Sequence, residues 1–395
     1  MSIFDIFVGF TYVTRCPATR AHRDLVKVPP RGFSDLAQSG SAMGMAAAPP
    51  SILGIDRSLT GRHWRWRGGN MDLGESGGAA GLQHDLVTQL LLARGVAPDD
   101  LERNRNPSLR AFLPDPSIFR DMDQAAQRLA QAVLTGEQVT VYGDYDVDGA
   151  TSAALLIRLL RELGHQARYY IPDRLLEGYG PSGEALVRLG QEGSSLIVTV
   201  DCGAMAHQAL GMAHQAGIDV VVVDHHKCSA ELPLTAALVN PNRLDESDAG
   251  AAHGHLAAVG VAFLLAVATV RTLRQRGFFA DRAEPDLFAL LDLVALGTVA
   301  DVAQLRGLNR AFVAQGLKVM ARRDGVGMAA LIDASRLSRA PICSDLGFAL
   351  GPRINAGGRV GESTLGVRLT SSRTLRVPSS AGSTSSFCGS LTASA

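Results

Sequence analysis

Short apolar strands alternate with helices through the middle of this chain. Runs of β-branched and apolar residues recur in VTVYG, SLIVTV and DVVVV, and segments with helical periodicity lie between them, EALVRLGQ and AMAHQALGMAHQAG. Strands that are apolar on both faces and are separated by helices are typical of a parallel sheet that is covered on both sides. The pattern therefore predicts an α/β fold with a doubly wound parallel sheet.

Helical patterns also flank this region. Two of them, DLVTQLLLARGV and MDQAAQRLAQAVL, are separated by the proline-broken connector FLPDPSIF. We expect an N-terminal helical layer at residues 82–135 and the α/β domain at residues 136–305. Within that domain the strand ARYY should end before Pro172, and the apolar helix LFALLDLVALGTVADV should end near Asp301.

The two ends of the chain differ in composition from its middle. Residues 1–50 mix arginine, proline, glycine and serine without periodicity, so we expect a disordered leader, with a true start at Met43 or Met45 as one explanation. Residues 306–368 are predicted to form a helical connector and the start of a second, incomplete domain. Residues 369–395 are rich in serine and threonine, which predicts a disordered tail after a frameshift or truncation, or a natural short variant.

The charge balance, the cysteine spacing and the length of the apolar runs each limit the class of protein. The 38 basic residues balance 38 acidic ones, so any phosphate-binding surface must be local. The five cysteines show no CxxC spacing, which predicts reduced thiols in a cytoplasmic protein and argues against a disulfide framework or a structural zinc site. Glycine or charge interrupts the apolar runs, so we expect no transmembrane segment.

An acidic loop follows the first apolar strand. Asp144, Asp146 and Asp148 alternate along it, and Gly149 comes next. Carboxylates this close repel one another, so they either point into water or are neutralised by a cation. The alternative is a loop whose aspartates cap the following helix. A calcium-binding EF-hand loop matches poorly because no glutamate stands at its twelfth position.

Polar residues follow the other strands as well. Asp201 comes after SLIVTV, and Asp224, His225 and His226 come after DVVVV. Ligands of open parallel sheets bind beyond the carboxyl ends of the strands, so we expect these groups to meet the acidic loop. Oxygen and imidazole ligands together suit Mn²⁺ or Mg²⁺, with Zn²⁺ as a further option. Taken alone, Asp224 could instead cap the next helix, and either histidine could instead be a hydrogen-bonded residue of the core.

Several segments resemble a known family. GDYDVDGATS, VTVDCG, VVDHH and ALGTVADV resemble the four motifs of the DHH phosphoesterase superfamily, and IPDRLLEGYGPSGEAL and GPRINAGGR are similar to its single-stranded-DNA-specific 5′ to 3′ exonucleases. This resemblance, from about residue 82 to about residue 368, implies a DHH-type fold, two divalent ions (Mn²⁺ or Mg²⁺), and release of 5′-mononucleotides from single-stranded DNA in repair and recombination. It also implies single-strand-binding protein and repair helicases as partners. A phosphodiesterase of short oligonucleotides or dinucleotides, and an inactive fragment, are the alternatives.

The resemblance also implies roles for individual residues. The implied metal ligands are Asp144, Asp146, Asp148, Asp201, His225 and Asp301. Asp201 would bridge the ions and act in catalysis, and Asp144 would be either a ligand or a hydrogen-bonding support. Asp224 would orient the histidines, and His226 would face the scissile phosphate as an electrophilic or proton-donating group.

The implied substrate contacts lie in two further segments. Arg174 would reach a terminal 5′-phosphate, with an ordinary surface arginine as the alternative. Arg353, Asn355 and Arg359 lie among glycines that we expect to form a phosphate-binding nest. Tyr145 and Tyr179 are candidates for stacking on bases, although core packing is the favoured interpretation for both.

Overall fold

The structure is a computed structural model that describes residues 57, 59–61, 86–174, 177–360 and 362–372, without the side chains of residues 86, 89, 359 and 360. The predicted leader at residues 1–50 and most of the predicted tail lie outside these residues. Contacts divide the chain after residue 73, and all helices and strands of the described residues lie in the second unit, residues 74–395. The predicted boundaries at residues 135 and 305 both fall inside this unit.

Five strands form the sheet. They are β1 (Val139–Gly143), β2 (Arg168–Tyr170), β3 (Leu196–Val200), β4 (Asp219–Val223) and β5 (Ala237–Val239). The strand order is β2-β1-β3-β4-β5, and every pair is parallel. The order reverses between β1 and β3, which is the point where doubly wound sheets bind their ligands. The predicted parallel sheet is confirmed.

Fifteen α-helices surround the sheet in the described part of the chain. In chain order they are α1 (Leu86–Ala93), α2 (Leu101–Arg105), α3 (Leu109–Phe112), α4 (Met122–Thr135), α5 (Val147–Glu162), α6 (Gly183–Gln191), α7 (His207–Gln215), α8 (Asp248–Ala251), α9 (Ala258–Gln275), α10 (Leu291–Ala300), α11 (Gly307–Arg322), α12 (Val326–Ala334), α13 (Cys343–Asp345), α14 (Gly351–Val360) and α15 (Leu365–Ser371). Single turns of 3₁₀-helix lie at Pro98–Asp100, Pro116–Ile118 and Leu287–Leu290, and a π-helical turn spans Leu346–Leu350.

The two faces of the sheet are covered by different helices. Side chains alternate along each strand, so Val139 and Val141 face the larger core, which includes residues of α4, α5, α9 and α10. Tyr142 and Ile197 face a smaller core with α6 and α7. Both cores are fully buried at their centres, which fixes the strand ends relative to one another.

Helix α9 lies in the larger core. By length and composition it could cross a membrane, but 72% of it is buried inside the fold. A helix that is apolar on all sides is expected in the core of a large domain, and α9 packs against α4 and α5 there. The C-terminal boundary needs a correction, since α15 continues through Thr370 to Ser371 and buries both residues. The predicted tail therefore begins too early at residue 369.

Candidate active site

The acidic loop is folded tightly at the switch point between β1 and β3. Asp146 caps α5, because its carboxylate accepts a hydrogen bond from the Gly149 N–H at 3.0 Å. A Cβ on Gly149 would lie only 2.5 Å from the Asp144 carbonyl oxygen. Glycine is therefore required for the loop to turn back against the helix, and this turn directs three carboxylates to the edge of the sheet. The capping alternative holds for Asp146 and does not exclude a bound cation.

Asp148 reaches a different helix. It is 1% exposed, and its two carboxylate oxygens accept hydrogen bonds from the backbone N–H groups of Ala258 at 2.7 Å and Val259 at 2.9 Å. These N–H groups belong to the first turn of α9, where backbone donors have no partner within the helix. The first turns of α5 and α9 are thereby fixed to each other.

Asp201 has an unusual backbone conformation. Its φ angle is 61°, in the left-handed region that residues other than glycine adopt uncommonly, and asparagine and aspartate most often among them. The side chain is 2% exposed, and its Oδ1 atom has no hydrogen-bond partner among the residues that the structure describes. The same is true of Asp144 Oδ1. Buried carboxylate oxygens without a partner are rare and point to a missing ligand.

Asp224 organises the loop that carries the two histidines. Its carboxylate accepts hydrogen bonds from the backbone N–H groups of Ala204, His225 and His226, and from Nδ1 of His226 at 2.8 Å. Burial opposes ionisation of Asp224, but the bond from His226 and the backbone donors outweigh it and hold the pKa below its ordinary value. These bonds hold the backbone of both histidines and the ring of His226, and the orienting role of Asp224 stays a prediction.

His225 has a defined tautomer. Its Nδ1 atom lies 3.1 Å from the carbonyl oxygen of Leu256, which can only accept, so Nδ1 carries the proton. Nε2 faces the centre, 3.2 Å from Asp201 Oδ1 and 3.9 Å from Asp148 Oδ2. Nε2 is therefore the ring atom available to a cation.

Three overlapping groups of side chains could hold metal ions. Within each group the ligand atoms lie within 4.8 Å of one another, and the groups are Asp201, His225 and His226; Asp148, His225 and Asp301; and Asp144, Asp146 and Asp201. Asp201 and His225 each belong to two groups, so neighbouring cations could share them. The structure thus brings together all six sequence-predicted ligands, and their ligation stays a prediction.

The electrostatics of this centre favour a cation. Burial, together with repulsion from Asp146, raises the pKa of Asp144 to about 7. Burial and the neighbouring carboxylates raise the pKa values of Asp148 and Asp201 well above their ordinary range, and burial raises the pKa of Asp301. A divalent cation would remove this repulsion and would supply a partner to the unpartnered oxygens. The residues present therefore fit a divalent metal.

Arg174 and Tyr179 lie at the rim of this centre. The exposed guanidinium of Arg174 lies 4.7 Å from the centre of the Tyr145 ring, so it stands beside the acidic loop. The Tyr179 hydroxyl donates to the carbonyl of Asp201 at 3.3 Å, and this side chain is 59% exposed. Core packing is therefore wrong for Tyr179, whereas Tyr145 does pack against the larger core.

The predicted phosphate nest in GPRINAGGR is wrong. The segment forms helix α14, whose backbone N–H groups serve the helix, and a Cβ on Gly358 would lie 2.7 Å from the Tyr145 carbonyl oxygen. Glycine thus allows α14 to approach the acidic loop. The exposed Arg353 donates to the Ala349 carbonyl at 2.6 Å, and Asn355 Oδ1 is buried without a partner in the described part of the chain. Arg359 lies outside the described side chains, and substrate binding by all three residues stays a prediction.

Sequence reasoning missed the groups that support the ligands. The Leu256 carbonyl and the N–H groups of Ala258 and Val259 are backbone atoms, so no residue type signals their role. Asn242 was also missed, although its amide donates to the carbonyl of His225 at 2.6 Å. The pattern Asn-Pro-Asn directly after an apolar run was the available signal.

The chain is similar to known proteins in sequence and in fold. Residues 138–298 match the DHH family, N-terminal domain. The single-stranded-DNA-specific exonuclease RecJ of Dickeya dadantii is 44% identical over 290 residues, which cover 72% of this chain and 49% of the relative. A crystal structure of exonuclease RecJ bound to manganese matches with a TM-score of 0.56 and 35% identity, covering 64% of this chain and 61% of that one. RecJ of Thermus thermophilus in complex with Mn²⁺ matches with a TM-score of 0.58 and 32% identity, covering 72% of this chain and 39% of that one. The chain spans about half the length of the Dickeya relative.

Proposed function

We propose that this chain, whose residues 138–298 match the DHH family, N-terminal domain, is a metal-dependent phosphodiesterase, an exodeoxyribonuclease that degrades single-stranded DNA from the 5′ end. The observation that carries the proposal is the meeting of carboxylates and an imidazole from four separate strand or helix ends in three overlapping groups. Relatives of this chain are single-stranded-DNA-specific exonucleases, which supports the substrate class.

The proposed cofactors are two divalent ions, Mn²⁺ or Mg²⁺. One would be held by Asp144, Asp146 and Asp201, and the other by Asp148, His225 and Asp301. When bound, such ions supply Lewis acidity that stabilises the charge developing on phosphoryl oxygens. The ligand set is rich in carboxylate oxygen and contains one or two imidazoles, which suits these ions.

His226 is the proposed proton donor. Its Nδ1 carries a proton because the ionised Asp224 carboxylate at 2.8 Å can only accept. The bond from Asp224 raises the pKa of His226, with burial opposing it, so a larger fraction of the ring is protonated at neutral pH. The side chain is 48% exposed, so its Nε2, which lies 3.5 Å from the Tyr179 hydroxyl, is accessible to the phosphate or the leaving oxygen.

Arg174 is the proposed contact for the terminal 5′-phosphate. Its guanidinium lies beside the acidic loop, and a planar fork of donors suits a phosphate. Single-stranded DNA is the proposed partner, and single-strand-binding protein and repair helicases are proposed to act with it in repair and recombination. The proposed location is the cytoplasm, where the thiols of Cys202 and Cys228, which form no disulfide, would stay reduced.

One assay tests this proposal. The purified chain with Mn²⁺ is offered 5′-phosphorylated single strands, duplexes and dinucleotides, and the products are separated by length. We expect 5′-mononucleotides from single strands alone, and no turnover from Asp201→Asn, which keeps the left-handed backbone accessible. Turnover of dinucleotides alone would replace the proposal with the dinucleotide phosphodiesterase, and no turnover of any substrate would favour an inactive fragment.

A further inference from the structure

One backbone segment lies behind two of the proposed metal ligands at once. This backing segment, residues 254–259, gives the Leu256 carbonyl to Nδ1 of His225 at 3.1 Å. It also gives the N–H groups of Ala258 and Val259 to Asp148 at 2.7 and 2.9 Å. The segment therefore fixes both the tautomer of His225 and the orientation of the Asp148 carboxylate. Any shift of its backbone would move two ligands together.

The side chain of Asn309 donates a hydrogen bond to this segment. Asn309 lies in the first turn of α11 and is 0% exposed. Its Nδ2 atom donates to the carbonyl of His255 at 2.6 Å and to the carbonyl of Gln304 at 3.1 Å. Both partners can only accept, so they fix which end of the amide is the NH₂ group. The Oδ1 atom has no hydrogen-bond partner among the described residues, so the side chain acts through its two donated bonds.

The second carbonyl belongs to the turn that follows another proposed ligand. Gln304 lies three residues after Asp301, in the turn between α10 and α11. Asp301 Oδ2 in turn lies 3.9 Å from Nδ1 of His225. One buried amide therefore connects the segment that orients His225 with the turn that positions Asp301. The amide of Asn242 makes a comparable connection at the other end, since it donates to the carbonyls of His225 at 2.6 Å and Gly254 at 3.0 Å.

We propose that Asn309 is a positioning residue for the metal centre. Its amide holds the backing segment and the turn after Asp301 at a fixed separation, so that Asp148, His225 and Asp301 converge on one cation. This inference rests on the proposed function, because it assumes that the centre binds divalent ions. Substitution of Asn309 should therefore change both the metal affinity and the stability of the chain. Substitution of a residue that only packs in the core would change the stability alone.

The test compares three variants with the wild-type chain. Asn309→Leu and Asn309→Asp both remove the two donated bonds, and the second keeps the shape of the side chain. Thr140→Val is the matched control, since it removes a buried hydrogen bond to Ser194 of 2.7 Å near the amino end of β1, away from the centre. The Mn²⁺ dissociation constant is measured by calorimetry and by the electron paramagnetic resonance spectrum of free Mn²⁺. Folding stability is measured by denaturation in EDTA.

We expect both Asn309 variants to bind Mn²⁺ about tenfold more weakly, the lower end of what loss of an outer hydrogen bond usually does to a metal site. The control should keep its affinity within about twofold while it also loses stability. The added charge in Asn309→Asp would by itself attract a cation, so a loss of affinity there supports lost geometry.

Three outcomes contradict the inference. A folded Asn309 variant with wild-type Mn²⁺ affinity would overturn it, and so would an equal loss of affinity in Thr140→Val. If neither Asn309 variant folds, Asn309 is a folding residue and the inference is also overturned. If the wild-type chain itself binds no Mn²⁺, the proposed function fails, which is a distinguishable result.

Discussion

Gly297 lies where three helices cross next to the acidic loop. An added Cβ would lie 2.4 Å from Oγ1 of Thr151, 2.8 Å from Cγ1 of Val259 and 3.0 Å from Oδ1 of Asp148. These atoms belong to α5 and α9, so Gly297→Ala must push α10 away from both helices or displace the Asp148 carboxylate. The substitution therefore tests whether the close packing of helices positions a proposed ligand.

The change in the free energy of unfolding of Gly297→Ala follows from two opposing effects. Overpacking a tight core costs about 1–3 kcal/mol. Replacing a helical glycine by alanine returns roughly 0.5–1 kcal/mol. We expect Gly297→Ala to lower the free energy of unfolding by up to about 2.5 kcal/mol and to weaken Mn²⁺ binding. Gly211, within α7, is the matched control because a Cβ there would meet no atom within 4 Å. Gly211→Ala should raise the free energy of unfolding by roughly 0.5–1 kcal/mol.

Urea denaturation in EDTA measures both variants under the same conditions, and calorimetry measures the Mn²⁺ affinity. Opposite signs of the change in stability are expected. If Gly297→Ala were as stable as Gly211→Ala and bound Mn²⁺ as the wild-type chain does, the crossing would not constrain Asp148, and the reasoning about this ligand would be refuted.

Three further predictions concern charge. In EDTA, Asp201→Asn should raise the free energy of unfolding at neutral pH, because burial and neighbouring carboxylates raise the pKa of Asp201 in the folded state. Excess Mn²⁺ should reverse the order of the two proteins in urea denaturation. Burial lowers the pKa of His255 to about 4 in the folded state, so below neutral pH the unfolded chain binds more protons than the folded chain. Lowering the pH from 7 to 5 should therefore reduce the free energy of unfolding of the wild-type chain by roughly 2 kcal/mol more than that of His255→Asn. Urea denaturation at both pH values measures this, and equal slopes would contradict it. Arg158→Met or Asp292→Leu alone should cost about 3–5 kcal/mol, because each leaves a buried charge without its partner at 3.2 Å. The double variant should recover most of that loss in a double-mutant cycle, and additive losses would argue against the pair.

The parallel sheet and the polar ends of its strands could be predicted from the sequence. Apolar runs followed by Asp144, Asp201 and Asp224 define both the strands and the edge at which their ends meet. Other elements give no such signal. Strand β5 has only three residues, and α9 is almost entirely apolar from Ala258 to Val270, so no helical periodicity shows there. Neither element was predicted.

Other features depend on contacts that are distant in sequence. The glycines of GPRINAGGR predict a loop locally, yet Gly358 packs against the acidic loop from within a helix. Asn309 has the pattern of an ordinary helix residue, and only the fold brings its amide to the carbonyl of His255. Tertiary contacts thus override local propensity at the positions that support the site.

Carboxylates and imidazoles from separate elements are proposed to hold a pair of divalent ions. Calorimetric titration of the metal-free chain with Mn²⁺ tests this most directly. We expect saturable binding of two ions per wild-type chain and the loss of at least one of them in Asp201→Asn, because Asp201 belongs to two of the three ligand groups. The absence of saturable binding to the folded wild-type chain, or unchanged stoichiometry and affinity in the variant, would contradict it.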